Sequence, residues 1–328
     1  MACADRAASE SARTMKTSVI IQKDAVMSNE STDIPTTRPN ARRLAGASVG
    51  IPPRQVDFPH SDDSPRYFYD NNAFATLFFA MLSGIFPPGE RYFVDSVRHY
   101  RNDIKDHILQ AEIAGFIGQE ALHGREHDRL NHILNARGIN TIYADKAIKV
   151  GLNLLKKVSP AQQLACTTFM EHFTALLGEQ LLTDEKFRAN ADEEMLQLWL
   201  WHALEELEHK AVAYDVYEQV SGSRLNRLLA FPLVTSALLP AIGYAMAMLV
   251  ISDGQALNFK ENARGIRLLF APKTGFISRF LPKMGLFARK DYHPNKHNTD
   301  TLVAEWKERL FGEHGTLSSY LRNKESIH

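Results

Sequence analysis

The densest chemistry in this 328-residue chain lies in one run, Trp201-His202-Ala203-Leu204-Glu205-Glu206-Leu207-Glu208-His209. Read as a helix, it puts His202, Glu206 and His209 at i, i+4 and i+7, on one face. An upstream run, Gln119-Glu120-Ala121-Leu122-His123, places Glu120 and His123 at i, i+3. Glu90 and Glu171 lie in two further helical segments. Carboxylates bridge hard or borderline cations, and imidazole suits iron. A lone Glu-x-x-His pair is as well explained by surface stabilisation of a helix. Two such pairs on apolar helices are harder to explain that way. A buried carboxylate is costly unless paired or metal-bound, and Phe116, Ile117, Ala121 and Leu122 flank Glu120. The expected site is therefore a buried metal pair held by Glu90, Glu120, His123, Glu171, Glu206 and His209, with His202 as a further ligand. The competing reading is a polar network inside an ordinary bundle, with His202 a core histidine.

Neighbouring groups leave some roles open. His127 stands one turn beyond His123 and is read as a ligand, a proton relay or, in preference, a hydrogen-bonded support. Glu205 could replace Glu206, being i, i+4 from His209. His172 adjoins Glu171 and so points about 100° away, which argues against ligation. Glu112, two turns before Glu120, is placed at the bundle end.

One Glu from each of two helices and Glu-x-x-His from each of two others resembles the ligand set of ferritin-like di-iron and di-manganese bundles. With His202 included, His-x-x-x-Glu-x-x-His resembles the His-rich di-iron N-oxygenases that oxidise aryl amines. From Phe86 to Gln219, and through Tyr292-His293-Pro294, the chain is similar to a bacterial family usually labelled predicted metal-dependent hydrolases. The carrying residues are Gln119-Glu120-Ala121-Leu122-His123-Gly124, Glu171-His172 and His202 to Lys210. The ligand pattern implies a di-metal enzyme that oxidises a small lipophilic or aromatic substrate with dioxygen. Two metal ions are expected, iron first, then manganese or a mixed Fe/Mn pair. The alternative, implied by the family label, is hydrolysis by metal-activated water. Iron storage is disfavoured because the chain is long and carries an apolar arm.

The elements that must position these groups read as helices throughout. No strand alternation appears between residues 70 and 220, so the fold class is all-α: a ferritin-like four-helix bundle with added helices. Asn71 or Asn72 caps a helix from Ala73 to Ile85, which Pro87-Pro88-Gly89 stops, and Glu90 opens the next. Asp103 or Asp106 opens a long helix to Ala136, Tyr143 to Lys157 forms a shorter one, and Ser159-Pro160 starts the helix of Glu171. Asp192 opens a helix running to about Val220. A final helix covers Thr299 to Leu321. Three regions follow: a disordered 1–64, a bundle at 65–225, and an extension at 226–328 that packs on it.

Lys+Arg and Asp+Glu balance at 38 each, so no global field recruits nucleic acid. The two cysteines, Cys3 and Cys166, exclude a disulfide framework and suit a reducing compartment. No signal peptide, phosphate loop or dinucleotide fingerprint is read. Leu228 to Ser252 lacks charge over about 25 residues, or about 37 Å of helix, enough to span a bilayer. A basic, aromatic stretch follows at Phe259 to Lys290 and fits a lipid surface. The expectation is a cytoplasmic enzyme associated peripherally with membrane through 228–290. A single span is the second choice, and a homodimer is left open.

Overall fold

The computed structural model describes residues 43–59 and 64–328. The rest of the expected disordered segment, 1–42 and 60–63, lies outside the described residues. No strand is present among those described, and the all-α expectation holds. In chain order the helices are α1 Ala45–Ser48, α2 Ala73–Tyr100, α3 His107–Ala136, α4 Ile142–Leu155, α5 Pro160–Thr183, α6 Glu185–Arg188, α7 Glu193–His209 and α8 Val212–Val220. They continue as α9 Arg224–Ser252, α10 Phe259–Phe270, α11 Phe276–Phe280, α12 Asp300–Phe311 and α13 Lys324–Ile327. A 3-10 stretch, Leu281–Ala288, joins α11 to the C-terminal part.

Four helices close a ring: α2 packs on α3, α3 on α7, α7 on α5 and α5 on α2. The arrangement is consistent with a ferritin-like bundle. Side-chain caps set the starts. Asn72 Oδ1 accepts from Ala75 N, Asp106 from Ile108 N and Leu109 N, Ser159 from Gln162 N, and Asp192 from Met195 N.

The expected stop at Pro87-Pro88 is corrected, because α2 runs straight through both prolines. Pro87 has no N–H to donate, so the carbonyl of Ser83 loses its helical partner. Asn131 Nδ2 of α3 donates to it at 2.9 Å, so the neighbouring helix supplies the missing bond. The single helix expected from Asp192 to Val220 is also corrected. It breaks at Lys210-Ala211 into α7 and α8. There Lys210 Nζ donates to His297 O at 2.6 Å and to Thr299 Oγ1 at 2.8 Å, tying the break to the C-terminal strap. The final helix ends at Phe311, not Leu321.

Residues 43–59 correct the expectation of disorder, for they pack on the bundle. Ile51, Val56 and Phe58 are buried, and Phe58 meets Trp201 with ring centroids 5.3 Å apart. Gly115 and Gly118 of α3 make this possible. A Cβ on Gly115 would collide with Ile51, and one on Gly118 with Pro53. The missing side chains form the bed for the strap.

The two long apolar helices differ in use. The apolar window of α2 is 78% buried, whereas that of α9 is only 28% buried. One stripe of α9, including Ala230, Val234, Leu238 and Leu249, packs against α4 and α5. Arg227 is buried at its start and donates to the carbonyls of Phe287 and Arg289.

Candidate metal centre

Each helix of the ring contributes to one buried cluster. Glu90 comes from α2, Glu120 and His123 from α3, Glu171 from α5, and His202, Glu206 and His209 from α7. All seven are buried. Their donor atoms form overlapping groups, each within 4.8 Å: Glu90-Glu120-His123, His123-His202-Glu206, Glu120-Glu171-His209 and Glu90-His127-His202. The fold thus brings together every expected site residue.

The cluster holds many polar atoms and few partners. Both carboxylate oxygens of Glu90, Glu120 and Glu171, Oε2 of Glu206, Nδ1 of His123 and Nε2 of His209 are buried without a hydrogen bond. A native core leaves few such atoms. The tautomers are set from behind. His209 Nδ1 donates to Gln119 Oε1 at 2.8 Å. That amide is fixed because Gln119 Nε2 donates to Glu208 Oε2 at 2.7 Å and to Pro52 O at 3.2 Å. His209 Nε2 therefore turns inward, 3.1 Å from Glu120 Oε1 and 3.6 Å from Glu171 Oε2. His123 Nε2 lies 3.0 Å from Glu205 Oε2. A proton donated there leaves the lone pair on Nδ1, which faces Glu120 Oε1 at 3.8 Å and Glu206 Oε1 at 3.7 Å. Partners that orient imidazole in this way are the usual support of metal-binding histidines.

His202 Nε2 is 2.9 Å from Glu206 Oε1 and 3.8 Å from Glu90 Oε1. Its Nδ1 meets His127 Nε2 at 2.8 Å, and His127 Nδ1 meets Ser83 Oγ at 3.0 Å. His127 thus stands behind His202, in the supporting position preferred for it. Glu205 faces away from the cluster centre, toward Arg54, so it does not replace Glu206. His172 Nε2 points outward to Lys283 O at 3.2 Å, and Glu112 lies near Asp215 and Asp106.

The electrostatics follow from crowding acids in a dry core. Burial, then Glu120 and Glu206, pushes Glu90 well above the usual carboxylate range. Burial, then Glu206 and Glu120, does the same to Glu171, and burial raises Glu120. Burial would also raise Glu206, but His209 and His202 overcome it and hold Glu206 well below the usual range. Burial would lower His209, yet Glu206, Glu120 and Glu171 raise it well above an ordinary imidazole. Burial, then His202, keeps His123 and His127 well below theirs. Two cations among these acids would offset the cost of burying their negative charge.

Sequence reasoning missed Arg54. It is 4% exposed and comes from the strap. Its guanidinium forks onto Glu208, with both bonds at 2.7 Å, and reaches Glu205 Oε1 at 3.0 Å. Lys307 of α12 adds a bond to Glu208 Oε1 at 2.9 Å. Arg54 therefore holds the two acids that orient His123 and, through Gln119, His209. The signal was faint: Ile51-Pro52-Pro53-Arg54 interrupts a Ser/Thr-rich leader with apolar residues. Tyr292 was noted only as part of a motif. Its hydroxyl is buried without a partner, and burial, then Tyr214 and Glu171, raise its pKa against the opposing Arg227.

A family described as predicted metal-dependent hydrolase matches residues 52–298, most of the chain. The protein belongs to that family. No curated protein and no solved structure gives a significant match. The match begins two residues before Arg54 and ends one residue after His297, whose carbonyl accepts from Lys210. It corrects the expectation of an oxidoreductase that uses dioxygen. The hydrolytic alternative is the one the family supports, because carboxylates and imidazoles serve either chemistry and the donor set alone does not choose.

Proposed function

We propose that the chain is a metal-dependent hydrolase with two metal ions held by Glu90, Glu120, His123, Glu171, His202, Glu206 and His209. The observation that carries this is the set of inward-facing carboxylate oxygens and imidazole nitrogens without partners, backed by the family match. Oxygen and nitrogen donors suit iron or manganese, alone or mixed. Such ions supply a Lewis acid for the scissile carbonyl and a lowered pKa for the attacking water. The chain's own residues do the rest. Glu206 stays ionised between His202 and His209. Glu90, His202 and Glu206 line an apolar cavity, so the scissile bond is presented to them. His127, itself bonded to Ser83 Oγ at 3.0 Å, holds His202 Nδ1 at 2.8 Å and so keeps His202 Nε2 turned toward the cluster.

We also propose a cytoplasmic location with α9 and α10 resting on an anionic lipid surface. The outer face of α9 exposes Leu225, Leu229, Phe231, Leu239, Tyr244 and Ile251. Phe259 to Lys290, the stretch that follows α9 in the chain, carries Lys260, Arg267, Lys273 and Lys290. Lysine and arginine near anionic headgroups each contribute about 1 kcal/mol. Surface contact is preferred to a span because the buried stripe of α9, with Arg227, is already engaged by the bundle.

Turnover of a panel of chromogenic carboxylic and phosphate esters tests the activity. Protein reconstituted with iron or manganese should hydrolyse at least one of them at the same rate under argon and in air, and stripped protein should not. No turnover by any loaded form would contradict the reading.

A further inference from the structure

A cavity of about 650 Å³ runs from the metal centre to the surface of α9. Its size lies within the range of small-molecule sites. The walls come from α2, α4, α5, α9 and the start of the 3-10 stretch, and they are almost wholly hydrocarbon. Ile148, Leu152, Phe169, Phe173, Val234 and Leu238 are typical. The charged and imidazole groups among the lining residues are Glu90, His202 and Glu206, members of the candidate centre. The outer lining residues Phe231, Leu239 and Leu281 are 56%, 59% and 46% exposed, so the cavity opens there. An apolar chamber whose charged and imidazole lining is confined to members of the candidate centre matches an amphiphile.

Gly89 sharpens the match. It lies in the interior of α2, where glycine destabilises a helix by about 0.5–1 kcal/mol relative to alanine. Its φ needs no glycine, and a Cβ there would meet nothing within 4 Å. The residue does not relieve crowding. It leaves open space in the cavity wall beside Glu90.

We infer that the cavity holds the hydrocarbon chain of a long-chain acyl ester or amide, with its carbonyl at Glu90, His202 and Glu206. The identification of the scissile group rests on the hydrolase reading above, whereas the chain site rests on the cavity. Hydrolysis there breaks the acyl C–O or C–N bond. Water supplies the hydroxyl to the acyl carbon and a proton to the departing alcohol or amine.

The test uses the metal-loaded full chain and two separate readouts. The first is binding of 11-(dansylamino)undecanoic acid by fluorescence, with displacement by palmitate, hexanoate or benzoate. Palmitate should displace the probe at least tenfold better than hexanoate or benzoate. Thr235→Trp on α9 and Gly89→Phe on α2 should each weaken probe binding at least tenfold, with helix content unchanged by circular dichroism. Because the variants lie on different helices, misfolding of one leaves the other decisive. Equal displacement by benzoate, or parental binding in a folded variant, overturns the chain site. The second readout is hydrolysis of 4-nitrophenyl palmitate against 4-nitrophenyl acetate. Selective chain binding without hydrolysis of either ester would sink the hydrolase reading and the scissile group, yet leave the chain site standing. Hydrolysis indifferent to chain length would overturn the chain site and leave the hydrolase reading intact.

Discussion

Two polar shells surround the same histidines, and they are equally buried but differently partnered. In the outer shell Arg54 is 4% exposed and Glu205 0%; in the inner shell Glu90 is 3% exposed and Glu120 1%. The outer acids are satisfied by Arg54, Gln119, His123 and Lys307. The inner acids face one another and imidazole, and most of their oxygens have no partner. Burial is therefore not what marks the site. The outer shell brings its own cations in Arg54 and Lys307, whereas the inner shell crowds its acids around imidazole. The outer shell is a stable protein structure, whereas the inner one is built for something added to it.

The largest effect should come from the inner shell. Glu206→Ala removes the carboxylate that contacts both His202 and His209. Metal content by mass spectrometry should fall to background after dialysis, and turnover should drop at least 100-fold. Retained metal and activity would put the centre elsewhere.

Breaking the outer shell should act on stability as well as on metal. Arg54→Ala leaves Glu205 and Glu208 buried against each other, a change that costs about 3–5 kcal/mol when one partner of a buried pair is lost. Metal affinity should also fall about 10–100-fold, as when other orienting partners are removed. Urea unfolding and competition with a chelator measure the two separately. A shift below about 1 kcal/mol would mean that Arg54 is dispensable for the shell.

A pH titration of stability distinguishes the shells without mutation. Glu90, Glu120 and Glu171 have raised values, and burial pushes Glu205 up to about 8 against the opposing Arg54. From about pH 7 to about 9 the folded, metal-stripped chain holds protons that the unfolded chain has already lost. More protons on the folded side make stability fall as pH rises. Stripped protein should therefore lose melting temperature across this window. Loaded protein should lose less, because its inner acids have already exchanged protons for metal. Parallel curves for the two forms would contradict the contrast.

The smallest effect concerns a buried group outside both shells. Burial pushes the Cys166 thiol up to about 12, and it is fully covered. The folded protein should show no labelling of Cys166 by iodoacetamide at pH 8, detected by peptide mass spectrometry, and full labelling in urea.

The inner shell was legible in the sequence because helical period alone projects His202, Glu206 and His209, or Glu120 and His123, onto one face. The all-α fold was legible for the same reason. Arg54 was not, since its strap has no period and depends on Gly115 and Gly118 some sixty residues away. The continuity of α2 through Pro87-Pro88 was equally hidden, because its repair comes from Asn131 on another helix. Glu205 and Glu206 differ by about 100° around α7, and only the position of Arg54 shows which one turns outward. The oxidative reading failed for a chemical reason: the same donors hold metals for either reaction.

The central claim is that the inner shell binds two ions. Protein purified under argon, reconstituted with ferrous iron or with manganese and freed of excess by gel filtration, should retain about two ions per chain by elemental analysis. Glu120→Ala, which removes a carboxylate shared by two of the donor groups, should retain markedly fewer. No stoichiometric metal in the parent under either condition, with the fold intact, would contradict the account.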